Sequence, residues 1–481
     1  MRVRFVLLVW VVAAGLSGMA GAQTAMSQPA ARSLQQCTDL MLQSVARAEG
    51  LLPEMARAAD VVAKRWIEGA DIFAGGDESF TDEAFYRAGG LIGLRRIAQV
   101  KQNFNGRQMR WEDVPEESIV LYGLHRSVDP SINLFDELGH LAYERNTVVF
   151  FGSSRWPISQ KIVKLLQSRL PGDKVFFIDT QLPMDTRLVA SDGTRYGDYA
   201  GMSTAVYQWA FTAELVAACT RQGKMPGIWP SGQIPRYEVW EKKYENIKFH
   251  DDLRVPPIEA GVLGRQYLEI LRAQLQACRD SAPEVRAAAR LLSNMPADKA
   301  VYVMVESHLL AGEAWLPVEL PNWVLAQRGY RWRRAAPTVE KGDAIVWLGY
   351  IEWPNGEVRR AVQQQTPFVG VSVRAPGERV KDEPLYVPEE KATSTRPAIV
   401  REPAGAIKSH PRTPATLPAG VLWVPAPWQY PDAVVQIPDY PLPACPTSGI
   451  VQGTLLWGVV GETVEARGKA AAETAADISS Q

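Results

Sequence analysis

Two short polar segments in the second half of the chain carry residue types that can move protons or bind hydroxyl groups. Glu306-Ser307-His308 places a carboxylate and an imidazole two residues apart after an apolar run. Such a pair can act as general base and general acid in an enediol-type proton transfer, and a surface loop or a satisfied core histidine is the alternative. Glu352, Asn355 and Glu357 offer carboxylate and amide groups that hydrogen-bond ligand hydroxyls, although Glu357 can instead complement a helix dipole.

Four segments in the first half place small or polar residues near the ends of apolar runs. They are Gly75, Asp77 and Ser79; His125, Arg126 and Ser127; Ser153 and Ser154; and Ser203 and Thr204. Open α/β sheets bind ligands outside the carboxyl ends of their strands, so we expect ligand contacts at these positions. The alternatives are a tight glycine turn with a helix cap after it, a solvated loop, and plain helix N-caps at the serines and the threonine.

Strand-like and helix-like segments alternate along the chain and would position these residues. A helix pair split near Gly50 and Pro53 is predicted at 40–66. Strands are predicted at 71–74, 118–122, 147–151, 174–178, 299–305, 330–332, 344–350, 367–373 and 434–438. Helices are predicted at 85–100, 132–145, 158–170, 207–219, 261–294 (as one helix or two) and 447–464. This alternation predicts an α/β fold with mainly parallel sheets covered by helices.

The order of elements repeats, which indicates an internal duplication. We predict three-layer αβα subdomains at 35–250 and 255–465, with a proline-rich surface insertion at about 375–428 and a loose tail at 466–481.

Composition and motif absences narrow the function. The chain has 52 basic and 53 acidic residues and a net charge of -1, which argues against a nucleic-acid partner. Neither the histidines nor the cysteines show metal-ligand spacing, so we expect no metal and no cofactor. No Walker A, GxGxxG or GxSxG sequence is present, which weakens NTPase, dehydrogenase and serine-hydrolase interpretations. Cys37, Cys219, Cys278 and Cys445 are compatible with one disulfide of unspecified pairing or with isolated buried thiols.

The N-terminus has the three parts of a secretory signal peptide. A basic start at 1–4 precedes an apolar run at 5–18 and the small-x-small sequence Ala20-Gly21-Ala22. We therefore predict a signal peptide at 1–22 and an exported protein, periplasmic or secreted, with no membrane attachment after cleavage. An uncleaved anchor is the alternative, but the apolar run is shorter than the ~20 residues of a membrane span.

Several of these segments together resemble the tandem SIS (sugar isomerase) domain family, in particular the isomerase half of glucosamine-6-phosphate synthase. The segments Ile72–Ser79, Val120–Asp129 and Phe150–Ser154 stand where the family has strands followed by Ser/Thr-rich loops. The segment Gly201–Ala205 is similar to its small-Ser-Thr helix entry. In the second half, Gly342-Asp343 before an apolar strand and Gly356-Glu357 at a helix start match a recurring family pattern. The resemblance spans roughly residues 40 to 465.

The resemblance implies two αβα subdomains, a sugar-phosphate ligand held by hydroxyls and backbone N–H groups, and a homodimer. This chain departs from the family pattern, because the loop at 123–127 retains one hydroxyl, on Ser127, and Glu352 and Glu357 would repel a phosphate. The family's catalytic lysine, glutamate and ring-opening histidine have no recognisable counterpart. We therefore interpret the chain as an exported protein that binds a sugar or sugar derivative without strong isomerase activity. The alternatives are an aldose–ketose isomerase using Glu306 and His308, and a structural or oligomerisation module without a ligand site.

Overall fold

The computed structural model describes residues 31–85, 87–97, 108–109, 113–124, 145–232, 237–305, 320, 322–328, 339–349, 355–373, 417–428 and 432–480. The residues from Ala31 onward belong to one compact unit.

The described helices follow the apolar periodicity of the sequence. They are α1 Arg32–Gly50, α2 Leu52–Ile67, α3 Glu78–Ala84, α4 Pro157–Arg169, α5 Ala200–Arg221, α6 Tyr237–Tyr244, α7 Val262–Cys278, α8 Ala282–Ser293, α9 Asn355–Gln364 and α10 Ser448–Ser480. Short 3-10 turns lie at Gly172–Lys174 and Arg279–Ser281. The predicted split of the first helix pair is confirmed, because α1 ends at Gly50 and Pro53 stands in the first turn of α2, where a missing N–H is harmless.

The first sheet has six strands, all paired in parallel. They are β1 Ile72–Gly76, β2 Leu94–Ile97, β3 Gln108–Met109, β4 Ile119–Gly123, β5 Thr147–Gly152 and β6 Val175–Asp179. Their order across the sheet is β3-β2-β1-β4-β5-β6. The register aligns Gly76 with Gly123 and Gly152 with Asp179, so the carboxyl ends of the four longest strands meet at one edge.

Two antiparallel strand pairs follow the first sheet along the chain. The first pairs β7 Arg187–Val189 with β8 Arg195–Asp198, and the second pairs β9 Met225–Pro226 with β10 Phe249–His250.

The second sheet has five strands, again all paired in parallel. They are β11 Val301–Val305, β12 Trp323–Arg328, β13 Ala344–Leu348, β14 Phe368–Ser372 and β15 Val421–Pro425, in the order β12-β11-β13-β14-β15. A last antiparallel pair joins β16 Ala433–Val435 to β17 Ala444–Pro446, immediately before α10.

Helices cover both faces of the second sheet, and successive side chains along each strand point to opposite faces. Val303 and Val346 point into the main core of the molecule. Ile345 and Trp347 point to the other face and pack with Ala361 of α9. Two parallel sheets with helices on both sides confirm the predicted α/β fold of two αβα units.

Helices from both halves of the chain share one interior. The helix α5 is buried around nearly its whole circumference, as expected for a helix that is apolar on all sides. The helix α10 packs on α1 so closely that a Cβ on Gly458 would lie 2.9 Å from Leu34 Cδ1. The backbone N–H of Ser33 donates to Glu462 Oε1 at 2.7 Å, which caps the start of α1.

Three sequence expectations need correction. The predicted helix at 85–100 is wrong, because α3 ends at Ala84 and 94–97 form β2. Glycine interrupts the apolar pattern there, and a Cβ on Gly89 would lie 2.5 Å from Ala433 Cβ. The proline-rich segment ends in a buried strand, β15, and α10 continues through the predicted tail to Ser480. The predicted helix at 132–145 and the strand at 330–332 fall almost wholly outside the described residues.

All four cysteines are free thiols buried in the interior. Burial raises the pKa of Cys37 to about 12 and also raises the pKa of the other three thiols. Of the two sequence interpretations, isolated buried thiols are the one observed.

Candidate functional site

Each sheet has a point where the chain reverses its direction of travel across the strands. In the first sheet this point lies between β1 and β4, and in the second it lies between β11 and β13. Parallel sheets open a crevice at the carboxyl ends of two such strands, because the connections on either side leave in opposite directions. We call these places the first and second switch points. The predicted ligand residues follow these four strands more often than any others.

The first switch point is built by glycine at the end of β1. Gly75 and Gly76 close the strand, and the N–H of Asp77 donates to the carbonyl oxygen of Gly123 at 2.9 Å. Gly76 has a φ of 99°, and a Cβ on it would lie 2.1 Å from that same oxygen. The close approach of the two strand ends therefore requires glycine at position 76.

An aromatic ring covers the first switch point. Phe80 of α3 packs over Gly123, where a Cβ would lie 2.1 Å from the ring, and its centroid lies 5.3 Å from that of Phe151. Ser79 is buried in the first turn of the same helix. The small side chains that the sequence suggests as a ligand loop thus also serve to seat α3 against the sheet.

The turn after β5 is closed by internal hydrogen bonds. The Ser153 hydroxyl donates to the Leu182 carbonyl oxygen at 2.6 Å. The backbone N–H groups of Ser154 and Gln181 both donate to Asp179 Oδ1, at 2.8 and 3.0 Å. A carboxylate of the protein therefore occupies the N–H group that would otherwise attract an anion at this turn.

Ser203 and Thr204 lie in the interior, near the start of α5. The Ser203 hydroxyl donates to Ser44 Oγ at 2.8 Å, and that of Thr204 donates to the Ala200 carbonyl oxygen at 2.9 Å. Both side chains are buried. Both hydroxyls are used within the protein, and ligand contact at these residues stays a prediction. The N-cap alternative is wrong, since α5 begins at Ala200 and its N-cap is Tyr199.

The second switch point is held from α10. Gln452, fully buried, donates its side-chain N–H to the carbonyl oxygen of Gly349 just past β13. The Trp347 ring lies against Gly349. Asn355 and Glu357 stand in the first turn of α9, the helix that follows β13. The remaining predicted site residues lie outside the described ranges: His125, Arg126, Ser127, Glu306, His308 and Glu352.

A buried ionic cluster at the C-terminal end of α3 was not anticipated from the sequence. Arg87 Nη1 lies 3.0 Å from Glu83 Oε2, and Arg87 Nη2 lies 3.2 Å from Asp432 Oδ2 and 2.9 Å from Ser448 Oγ. The Glu83 and Arg87 side chains are each only 2% exposed. The Glu-x-x-x-Arg spacing is a signal for such a pair on a helix, but the distant partner Asp432 is not visible in the pattern.

Burial raises the pKa of Glu83 to about 7, against the lowering effects of Arg87 and of the Trp209 indole N–H, which donates to its Oε1 at 2.8 Å. Asp432 raises the pKa of Glu83 further, because two carboxylates share one guanidinium and the cluster would carry a net negative charge in the interior if both were ionised.

A second buried group, around His250, was also missed. Its Nε2 lies 2.8 Å from the Tyr440 hydroxyl, and its Nδ1 lies 3.6 Å from Asp252 Oδ1. The rings of Trp240 and Tyr244 flank the imidazole at centroid distances of 5.7 and 4.5 Å. Burial lowers the pKa of His250 to about 4, against the raising effect of Asp252, so the imidazole is neutral at pH 7.

The described residues hold neither a candidate metal cluster nor a helix that could span a membrane. No cluster of three or more His, Cys, Asp or Glu side chains in these ranges could hold a metal ion. Within the same ranges, none of the helices combines the length and apolar character that a membrane span needs.

Comparisons with known proteins find similarity in structure only. No protein-family model matches the chain, and no curated protein sequence matches it. Among solved structures, the chain is similar to a putative sugar binding protein from Salmonella typhimurium LT2, with 8% identity, a TM-score of 0.41, and coverage of 70% of this chain and 89% of that one. It is also similar to tagatose-6-phosphate ketose/aldose isomerase from Escherichia coli, with 7% identity, a TM-score of 0.43, and coverage of 90% and 91%. Similarities of this size carry no argument about ligand or reaction.

Proposed function

We propose that the chain binds a sugar or sugar derivative that lacks a phosphate group, at the carboxyl ends of its two parallel sheets, without strong isomerase activity. The observation that carries the proposal is the pair of switch points, since such a crevice is the usual ligand position in an open parallel sheet. Most of the polar residues predicted for ligand contact come after the strands that form these crevices, and Ser153, Ser154, Ser203 and Thr204 are the exceptions.

Two features favour an uncharged ligand over a phosphate. The Asp179 carboxylate already accepts from Ser154 N–H at the turn after β5, and a phosphate there would meet like charge. The first turn of α9 carries Glu357, which would add repulsion at the second sheet. Amide and carboxylate groups remain well suited to hydroxyls.

A structural module is the second candidate, and one observation favours it. The hydroxyls of Ser153, Ser203 and Thr204 are all used inside the protein, and Phe80 fills the space over Gly123. An isomerase would depend on Glu306 and His308, and that role stays a prediction.

The test is thermal unfolding of the chain from residue 23 onward with panels of neutral sugars, amino sugars, wall-type saccharides and sugar phosphates. A ligand at about 100 times its dissociation constant stabilises by ~2.7 kcal/mol, which moves the midpoint by a few degrees. We expect a shift with one non-phosphorylated class and none with its phosphate ester.

Two variants test whether a ligand that shifts the thermal midpoint binds at the switch points. Arg126→Ala should lose the shift, because Arg126 follows β4 closely. Arg169→Ala should keep it, because this exposed residue ends α4 at the opposite edge of the sheet. No shift with any panel would remove the binding proposal and leave the structural module. A shift with sugar phosphates alone would contradict the choice of ligand.

Export is part of the same proposal. The compact unit begins at Ala31, so removal of residues 1–22 would leave it whole. Expression of the full chain in a Gram-negative host, followed by N-terminal sequencing of the periplasmic fraction, should give Gln23 as the first residue. A full-length product retained in the cytoplasm or membrane would contradict it. By family resemblance we also expect a homodimer, which light scattering of the purified chain would test.

A further inference from the structure

Buried polar contacts join the end of α3 to the start of α10, and the two helices carry this connection on towards the two switch points. We call it the polar bridge, and its members are Glu83, Arg87, Asp432, Ser448 and Gln452. Their side chains come from the end of α3, the segment after it, the residue before β16, and the first two turns of α10. All five are buried.

The first part of the bridge ties α3 to the start of α10. Glu83 pairs with Arg87, and Arg87 Nη2 reaches both Asp432 Oδ2 and Ser448 Oγ. Asp432 in turn accepts from the Thr447 N–H at 3.2 Å, from the Ser448 N–H at 2.8 Å and from the Ser448 hydroxyl at 2.8 Å. The carboxylate therefore caps α10 while holding the guanidinium of Arg87.

The second part runs along α10 to the second sheet. Ser448 and Gln452 are one helical turn apart, a rise of about 6 Å. Gln452 then donates to the Gly349 carbonyl oxygen at the second switch point. At the other end, α3 begins directly after Asp77 and carries Phe80, which covers the first switch point.

Such a connection resists small displacements. A buried charge or amide that loses its partner is left in a low-dielectric interior without the hydrogen bonds that water would supply, and this is costly, most of all for a charge. A shift of α3 or of α10 alone would break contacts at Arg87. The low-energy response to a displacement at either end is therefore a joint movement of both helices.

We propose that the polar bridge couples the two switch points, so that loosening of the strand end at one raises the conformational freedom of the helix that covers the other. The inference concerns regulation of the proposed binding places. It rests on the proposed function only in calling the switch points binding places, because the coupling is a property of the ligand-free protein.

Amide hydrogen exchange of the ligand-free chain, read by mass spectrometry, tests the coupling in one direction. Gln452→Leu removes the hydrogen bond to Gly349 and nearly keeps the side-chain volume. We expect faster exchange at Gly349, whose N–H donates to the Val371 carbonyl oxygen, and also a several-fold faster exchange at Thr81 and Phe85 of the α3 segment. The matched control is Thr463→Val on α10, whose buried hydroxyl bonds only within the helix in the described contacts; it should leave the α3 segment unchanged.

The reverse direction uses Glu83→Leu, which removes the carboxylate that Arg87 and the Trp209 indole contact and nearly keeps the side-chain volume. Coupling between two sites is reciprocal, so this variant should speed exchange at Gly349. It also keeps the proposal testable should Gln452→Leu fail to fold. Both variants are checked first by thermal unfolding, and exchange is compared well below the midpoint.

Faster exchange confined to the surroundings of each substitution would overturn the coupling. So would an equal effect from Thr463→Val, because that would indicate a general loosening of α10. Since no ligand is used, a failed sugar panel leaves this result standing, and a failed exchange test leaves the binding proposal standing.

Discussion

Glu83 is the residue whose protonation should be most visible in the stability of the protein. Its carboxyl faces Arg87, Asp432, Asp82 and the Trp209 indole, and burial raises its pKa from 4.5 to about 7. The folded state therefore binds a proton more tightly than the unfolded state does, and the stability from this group is full below pH 4.5 and lost as pH rises to 7. The loss is at most about 3 kcal/mol, from ~1.4 kcal/mol per pKa unit.

We expect Glu83→Gln to reduce the fall in free energy of unfolding between pH 5 and pH 8, measured by urea titration. An unchanged pH dependence in the variant would show that Glu83 keeps an ordinary pKa in the folded protein.

His250 should act in the opposite sense. Its pKa is lowered from 6.5 to about 4 by burial, in surroundings that include Asp252, Lys243, Asp251 and Tyr440. The unfolded state binds the proton more tightly, so stability is full above pH 6.5 and falls as pH drops towards 4, by at most about 3 kcal/mol.

Substitution His250→Gln keeps the hydrogen-bonding capacity without the titration. The variant should lose less stability than the unmodified chain between pH 7 and pH 4.5 in the same urea titration. A parallel loss in the two proteins would assign the acid sensitivity to other groups.

Neither buried group could have been found from the sequence. Single histidines and a Glu-x-x-x-Arg spacing are common on ordinary surfaces, and their partners Tyr440 and Asp432 lie far away along the chain. By contrast, Gly75 and Asp77 stand at a switch point, as their position after an apolar run suggests. The N-cap interpretation of Ser203 and Thr204 was wrong because a hydroxyl inside a helix often bonds back to its own backbone, as that of Thr204 does.

At the scale of elements, α3 is seated by the pair Phe80 and Gly123. A Cβ at position 123 would lie 2.1 Å from the Phe80 ring, too close for any side-chain carbon. We expect Gly123→Ala to destabilise the chain by about 1–3 kcal/mol through overpacking, measured by urea titration.

In the Phe80→Ala background, Gly123→Ala should destabilise the chain less than it does in the unmodified protein, because the ring that it clashes with is gone. Gly356→Ala serves as control, since nothing lies within 4 Å of its Cβ position in α9, and helix propensity favours alanine there by about 1 kcal/mol. Strict additivity of the two substitutions would contradict direct contact between the ring and position 123.

Most strands were predictable at this scale because buried parallel strands are short apolar runs between helices. The strands at 72–76, 119–123, 147–152, 175–179, 301–305, 344–348 and 368–372 all match expectation within about two residues. The error at 85–100 arose where glycines and tertiary contacts override an apolar run, and β15 was missed because prolines around it suggested a surface loop.

For the whole molecule, contacts between the two halves should make unfolding cooperative. Arg87 reaches Asp432, the Ile228 N–H donates to the Tyr440 hydroxyl at 3.3 Å, and Ser33 is capped by Glu462. We expect a single calorimetric transition for the chain from residue 23, with equal calorimetric and van't Hoff enthalpies.

The fragment 31–258 alone should show no cooperative transition, because α1 would lose the cover that α10 provides. Two resolved transitions in the full chain, or a folded fragment, would instead support independent subdomains at the predicted boundary.

The four buried thiols set a condition on when this chain can be oxidised. Disulfide formation requires a thiolate that an oxidant can reach. In the folded protein, burial keeps the thiols protonated and out of contact with solvent. In an oxidising compartment, the vulnerable species would be the chain before it folds, with every cysteine open to mispairing. For an exported chain, the outcome would then depend on two competing rates. Molecules that fold before an oxidant reacts with them would keep all four thiols reduced and buried.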